Sequence, residues 1–496
     1  RTKRPSRLPP TVSLLPPPIP TTRMDYLHWI FLALYMTLAV AAMVTILLDN
    51  RQPAKTMAWV LVLMFLPVVG IILYFFFGQN VRKERAISQH SLDQLSRRSM
   101  LESHAQASLK IPPLYQRLVH LFDSQDFAPA FHRNETEIYL NGYEFFPQLL
   151  RDIASARDHI HLDFFLFEDD PLGRLVSDAL IAKAAEGVEV RVIHDDVGCW
   201  SVPSRFYERM REGGVEVHAF MPVRFPAFTS KVNYRNHRKI AVFDGRVGYV
   251  GGMNIALRYV KGLGAQAWRD TMVRIHGNVV YGLQRAFLVD WFFVDRTLIT
   301  DRRYYPEFPL PQTECLAQVV TSNPIDPWPK IEQGFVRVIH SARQYVYIET
   351  PYFLPTEPVL FALRTAALSG VDVRLMIPRK ADSKFVAWAS RSFVKEIADA
   401  GVRVLFYDRG FNHSKLLVSD DLLATIGSTN VDFRSFEHDF ESNVFFYDQA
   451  MALRVKQVFL DDEADSIPLD QLRESASRGL LLRLWESLVR LMSPLM

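Results

Sequence analysis

One block of sequence occurs twice in this chain, and whatever fold the chain adopts must house both copies. His237-Arg238-Lys239 with Asp244 and His413-Ser414-Lys415 with Asp420 both read H-x-K-x4-D. Each is followed by a glycine-led turn and an asparagine, Gly251-Gly252-Met253-Asn254 and Gly427-Ser428-Thr429-Asn430. The repetition extends upstream, where Ser155-Ala156-Arg157 answers Ser341-Ala342-Arg343, each ahead of an apolar, strand-like run at 160–167 and 345–353. Gly187-Val188-Glu189-Val190-Arg191 answers Gly370-Val371-Asp372-Val373-Arg374, and Gly214-Val215-Glu216-Val217 answers Gly401-Val402-Arg403-Val404. Each glycine-led alternation follows a helical stretch, 175–185 or 359–368, so both halves predict strand, helix, strand. The expected fold class is α/β: two units, each with helices laid on its own sheet.

The repeated residues suit phosphodiester chemistry. Cleaving such a bond without a metal needs a nucleophile, a proton donor for the leaving alcohol, and positive charge around the phosphoryl oxygens. Two histidines divide the first two tasks: a neutral imidazole attacks phosphorus while a protonated one supplies the leaving group, and the roles reverse in the second step. Lys239 and Lys415 supply the charge, and the amides of Asn254 and Asn430 can donate to the same oxygens. On a strand, residues i and i+2 face the same way, so each histidine and its lysine are expected to reach one phosphate. Asp270, in Trp268-Arg269-Asp270-Thr271, and Glu441, in Phe440-Glu441-Ser442-Asn443, are candidates to accept the Nδ1 proton of a histidine and fix its tautomer. The catalytic set expected is therefore His237, Lys239, Asp244, His413, Lys415 and Asp420, with Asn254, Asn430, Asp270 and Glu441 in support.

With both motifs in hand, the sequence resembles the phospholipase D superfamily, and within it the bacterial cardiolipin synthases of the phospholipase D type. The resemblance rests on Asn233-Tyr234-Arg235-Asn236-His237-Arg238-Lys239, on Gly251-Gly252-Met253-Asn254, on Trp268-Arg269-Asp270-Thr271, on Gly427-Ser428-Thr429-Asn430 with Asp432, Arg434 and Ser435, and on the membrane-proximal Gly78-Gln79-Asn80-Val81-Arg82. It covers the chain from about Met24 onward. Two phospholipase D-like units packed with pseudo-twofold symmetry, histidines meeting across the seam, are what it implies. The activity implied is a membrane-anchored phosphatidyltransferase making cardiolipin from two phosphatidylglycerols with release of glycerol, through a phosphatidyl-histidine on His237. A hydrolytic phospholipase D is the alternative, followed by a membrane-tethered nuclease; an inactive scaffold would have lost a motif residue, and none is lost. Two departures stand out: Gly252 occupies the place of Ser428, which removes a hydroxyl that could bind phosphate, and the first acid is Asp where the second is Glu.

The N-terminal region reads as membrane. Residues 26–48 form an uncharged run of 23 and residues 57–77 another of 21, each long enough at ~1.5 Å per residue to span the ~30 Å hydrocarbon core. A transmembrane hairpin is expected over 24–80, with Pro67 and Gly70 loosening its second helix without breaking it. In front, 1–23 is a proline-rich, extended leader, and Met24 is a candidate start. A charged connector at 81–111 leads to units at 112–310 and 311–478, and an amphipathic segment at 479–496 suits a membrane interface or a packed helix. An 11-residue excess near 221–232 in the first half mixes rings and cations and suits a lipid surface or a packed loop. Basic residues flanking the hairpin on the body side predict a multi-pass protein of a bacterial inner membrane with a cytoplasmic catalytic body. The partners expected are phosphatidylglycerol, cardiolipin and membrane lipid, with oligomeric state left open. A formal net charge of +3 gives no reason to expect nucleic acid. No metal or cofactor is expected: Cys199 and Cys315 make no cluster, and the acids at 168–170 and 195–196 read as caps or ion pairs.

Overall fold

The computed structural model describes residues 23–48, 53–66, 69–74, 111–125, 128–223, 233–262, 264, 267–472, 480–490 and 493. The proline-rich leader, the charged connector and the loop at 224–232 lie outside them. Two compact units result, Arg1–Asn80 and Val81–Met496.

In the first unit a helix runs Arg23–Leu48, and His28–Leu48 is apolar and long enough to cross a membrane. Its large side chains, Trp29, Phe31, Leu34 and Leu47 among them, are exposed, a pattern that a helix apolar all round can present to lipid. The second apolar run is described in two pieces. It forms a helix Pro53–Phe65 and a separate short helix Val69–Leu73, and the first of these, at ~1.5 Å per residue, is about 20 Å long. Pro67 lies outside the described residues, and on either side of it Leu66 N donates to the Val62 carbonyl at 3.0 Å and Gly70 N to the Leu66 carbonyl at 2.6 Å. The pieces still close on the first helix: Ile46, Leu63 and Tyr74 form a small core, and the Tyr35 hydroxyl donates to the Leu63 carbonyl at 3.2 Å.

The second unit is the repeat made visible. Its seven-stranded sheet orders Glu135–Tyr139, Met272–His276, Val247–Gly251, Lys239–Phe243, His159–Phe164, Glu189–Asp195 and Glu216–Phe220; the last three run parallel and the remainder pair antiparallel. The nine-stranded sheet repeats this order with Ala317–Ser322, Glu441–Phe446, Leu423–Gly427, Leu416–Ser419, Tyr345–Glu349, Asp372–Pro378 and Arg403–Tyr407. An edge strand is added at each end, Ala130–Phe131 and Ser466–Pro468. Ala130–Phe131 lies within the stretch assigned on sequence to the first unit, yet it pairs with 317–318 of the second sheet. The glycines that open the repeated alternations adopt left-handed backbone, with φ of 88° at Gly187 and 89° at Gly370, which closes the preceding helix cheaply.

Helices Pro171–Ala185 and Glu357–Leu368 occupy the outer faces, over separate cores built on Phe145, Leu162 and Val192 in one half and Ile348, Leu363 and Leu375 in the other. Between the sheets lie Val280–Asp295 and Gln449–Ala464, whose Phe287, Trp291, Val455 and Phe459 join Ile240, Val250, Val418 and Ile426 in one core. That shared core fixes the two sheets relative to each other. The C-terminal segment forms a helix, Leu480–Arg490, docked on Lys384–Asp399 through buried Val489 and an Arg490–Glu396 ion pair at 2.7 Å, while Leu484 and Trp485 stay exposed.

Candidate active site

Neither motif histidine sits within a strand, as the H-x-K spacing suggested. The strands begin at Lys239 and Leu416, and each histidine lies on the extended approach, where its backbone pairs with the opposite half. His237 N donates to the Phe440 carbonyl at 2.9 Å, and His413 N donates to the Arg269 carbonyl at 2.7 Å. The second contact continues the parallel pairing of Gly410–Asn412 with Ala267–Arg269, and the first accompanies a parallel bridge between Asn236 and Phe440.

This pairing exchanges the acids. His237 Nδ1 meets Glu441 Oε1 at 2.9 Å, and His413 Nδ1 meets Asp270 Oδ2 at 2.7 Å. Each histidine is thus oriented by the carboxylate of the other half, leaving Nε2 of both rings for chemistry. Lys239 and Lys415 are wholly buried beside them, with Lys415 Nζ 3.0 Å from His413 Nδ1. Lys239 Nζ donates to the carbonyl of His237 at 2.5 Å, and Lys415 Nζ to that of His413. The rings remain slightly open, His237 at 14% side-chain exposure and His413 at 9%, which is what a group awaiting a phosphate needs.

Electrostatics separate the two dyads. Burial first, then Lys415, holds the His413 imidazole down at about 4 against the pull of Asp270. His237 is held well below its usual value by burial and Lys239. Burial lowers Lys239 to about 7, with Lys415 adding to the fall, and lowers Lys415 to about 8 against the pull of Asp270 and Glu441. Glu441 is pushed up to about 7 by burial, against the pull of Lys239. Asp270, equally buried, lies below the usual carboxylate value because Lys415, His413 and the Thr271 amide outweigh its desolvation. Both lysine charges act on both imidazoles, so this is one site. A phosphodiester monoanion entering it would stabilise the ammonium groups and an imidazolium together.

The remaining expected residues fare unevenly. Asp244 and Asp420 do not join the histidines. With φ of 51° and 55°, each turns back at the far end of its strand, about 16 Å from the lysine at ~3.3 Å per residue. There Asp244 accepts from the amides of Arg157, Asp158 and His159, and Asp420 from those of Arg343, Gln344 and Tyr345. Their role is to pin the neighbouring strand, so the catalytic expectation for them is corrected. Asn254 is partly spent on the protein, its Oδ1 accepting from Leu166 N and its Nδ2 donating to the Tyr259 hydroxyl at 2.7 Å; one amide hydrogen remains. Asn430 keeps a buried Oδ1 with no hydrogen-bond partner. The Ser428 hydroxyl, expected to be free for phosphate, donates instead to Glu441 and accepts from Ser442 N at 3.0 Å. Gly252 has its own reason: a Cβ there would lie 2.0 Å from Asp270 Oδ1, so the shorter acid and the missing side chain belong together.

Aromatic walls were not anticipated. Phe165 lies edge-on to His237 at 5.2 Å and beneath Lys239 Nζ at 5.3 Å, while Trp268, Phe411 and Tyr352 ring His413. Phe165 lies one residue past the end of the first parallel strand, and its counterpart in the second half is Pro351, so the repeat gives no signal for it. The acidic runs act as expected. Asp170 caps a helix through Gly173 N, Asp169 pairs with Arg174 at 2.6 Å, Glu168 pairs with Arg258, and Asp195 accepts from Gly198 and Asn236 amides. Among the described residues no group of His, Cys, Asp and Glu is arranged to hold a metal ion.

A duplicated α/β body with two buried histidine–lysine pairs, each histidine oriented from the opposite half, is the architecture of the phospholipase D superfamily. The sequence matches the family described as "Cardiolipin synthase, PLD-like domain" over residues 149–291 and 335–462, and "Phospholipase_D-nuclease N-terminal" over 37–79. It is 36% identical to the major cardiolipin synthase ClsA of Bacillus subtilis, across 94% of this chain and 99% of that one. A cardiolipin synthase of Listeria monocytogenes is also 36% identical, across 95% of this chain and 100% of the relative. The chain belongs to the cardiolipin synthase family. Among solved structures, the phosphatidylserine synthase of Haemophilus influenzae shares the fold, with a TM-score of 0.59 at 14% identity over 77% of this chain and 100% of that one.

Proposed function

We propose that this protein is a cardiolipin synthase, transferring a phosphatidyl group from one phosphatidylglycerol to the terminal hydroxyl of another. The observation that carries the reading is the pair of cross-supported histidines with two lysine charges in one buried site. In the first step His237 Nε2 attacks phosphorus, the phosphorus–oxygen bond to the glycerol headgroup breaks, and protonated His413 gives its proton to the departing oxygen. Glycerol leaves and a phosphatidyl-His237 remains. Neutral His413 then takes the proton from the headgroup hydroxyl of the second lipid, whose oxygen attacks phosphorus and frees His237 with cardiolipin formed. Lys239 and Lys415 stabilise the phosphoryl oxygens in both steps.

The acids support this division of labour. Asp270 stays ionised and supports an imidazolium on His413, whereas burial favours the neutral form of Glu441 beside His237. A water-excluding, aromatic-walled site favours a lipid hydroxyl over water in the second step. The substrates are membrane lipids, and the apolar helix Arg23–Leu48 suits an anchor. The second apolar run would cross as well, with the catalytic body on the cytoplasmic side, given Arg23, Arg82, Lys83, Arg85, Arg97 and Arg98 against Arg51 and Lys55 in the link. Purified protein given labelled phosphatidylglycerol should yield cardiolipin and glycerol by mass spectrometry. Phosphatidic acid and glycerol as the products would replace the synthase with a hydrolase.

A further inference from the structure

Behind each histidine the fold builds the same buried device from different residues. Asn412 precedes His413, and its side chain reaches to both sides. Nδ2 donates to Glu349 Oε2 at 3.2 Å, and Oδ1 accepts from Ser414 N at 2.9 Å. In the first half, Asn236 Nδ2 donates to Asp163 Oδ1 at 2.8 Å and its Oδ1 accepts from Arg238 N at 3.1 Å. The asparagine therefore fixes the peptide before and after each histidine, and the acid fixes the asparagine.

Below each acid lies a second carboxyl and one guanidinium. Arg269 binds Asp462 through Nε at 3.2 Å and Nη2 at 2.7 Å, and Arg238 binds Asp290. Glu349, Asp462 and Arg269 are buried, as are Asp163, Asp290 and Arg238. Two carboxyls thus face one cation in each half, and in each half one oxygen of the upper acid, Glu349 Oε1 or Asp163 Oδ2, is buried without a hydrogen-bond partner. A second full negative charge there would be buried and uncompensated. A proton removes that charge.

We propose that each histidine segment is seated by a buried acid pair that keeps one proton, and that in the second half the protonated member is Glu349, a positioning residue acting through Asn412 on His413. Burial and the neighbouring Asp462 both raise Glu349, against Arg269, Asn412 and Ser414; the same forces from Asp290 raise Asp163 against Arg238 and Asn236. Tyr407, whose hydroxyl is raised by burial and Asp462, faces the same cluster from the strand Arg403–Tyr407. Asp462 is the member paired to the guanidinium, which leaves the proton to Glu349. The device differs from the acids that touch the histidines, since Glu349 and Asp163 bond the asparagines before the histidines while Asp270 and Glu441 meet the imidazoles themselves.

The inference rests on the transfer reading of the site, and the test separates the two. In full-length protein in detergent with phosphatidylglycerol, Glu349→Gln copies the protonated acid and should keep kcat within about threefold of wild type. Glu349→Ala strands Asn412 and should lose roughly 30- to 100-fold in kcat with KM little changed, as misplacement of a reacting group does. A second readout needs no turnover. Because the folded protein keeps a proton on Glu349 that the unfolded chain releases, that residue makes stability fall as pH rises from about 5 to 7. Glu349→Gln should remove this part, so its Tm falls less than that of wild type over the same range. A Gln variant as inactive as Ala, or one whose Tm follows pH in parallel with wild type, overturns the proposal. Wild type that makes no cardiolipin refutes the transfer reading instead, and the Tm comparison then decides the seating alone.

Discussion

Replacing Asp270 by asparagine changes one buried oxygen to an amide and should nearly silence a histidine in the other half of the chain. Asp270 is wholly buried, its Oδ2 lies 2.7 Å from His413 Nδ1, and its Oδ1 accepts from Thr271 N at 2.8 Å. When His413 is protonated, the charges are centred about 4 Å apart, which at an effective dielectric of ~20 is worth about 4 kcal/mol. At ~1.36 kcal/mol per decade, that predicts a loss on the order of a thousandfold in kcat. A tautomer effect adds to it: an asparagine amide donating to Nδ1 would move the ring proton to Nε2, where chemistry requires a proton that comes and goes. The assay is cardiolipin formed from labelled phosphatidylglycerol, quantified by mass spectrometry at pH 7, with Tm as the check that the isosteric change leaves the fold intact. A folded Asp270→Asn protein retaining more than about a tenth of wild-type kcat would refute the argument that this carboxylate supports the imidazolium.

His237→Ala and His413→Ala should each abolish nearly all turnover, and acid-quenched wild type should carry a phosphatidyl adduct on His237; an adduct on His413 would reverse the roles. Lys239 at about 7 and Lys415 at about 8 are charged only below those values, so kcat/KM should fall as pH rises through this range. A profile flat to about pH 9.5 would show that the free enzyme does not depend on these ammonium groups. Gly252→Ala puts a methyl 2.0 Å from Asp270 Oδ1 and should push that acid off His413, lowering kcat by roughly a hundredfold where a mere loop change would do nothing. For orientation, single cysteines at Gln52 and Gln106, in protein lacking Cys199 and Cys315, should be labelled by an impermeant thiol reagent in intact cells at 52 and not at 106; the opposite pattern inverts the topology.

Much of this was legible in the chain. The duplicated glycine-led alternations and their preceding helices recur as equivalent strands and helices in the two sheets, because period and turn chemistry act over a few residues. His237, Lys239, His413 and Lys415 were identifiable, as were Asp270 and Glu441 as acids awaiting histidines. Asp244 and Asp420 were misjudged: a motif records that a residue recurs, and an aspartate that pins three backbone amides recurs as faithfully as a catalytic one. Pro67, expected to loosen the second span without breaking it, lies outside the described residues.

By itself the sequence determined the repeat, the chemistry of the side chains and the apolar runs, all of which follow from neighbours along the chain. Only the tertiary structure decided that Asp270 serves His413, 143 residues away, and that Glu441 serves His237, 204 residues away. The same is true of the acid pairs beneath the asparagines and of Ser428 being tied to Glu441. These contacts depend on two sheets locking around a shared core and on short parallel pairings across the seam. Such registers are set by packing between segments far apart in sequence, and no local pattern encodes them.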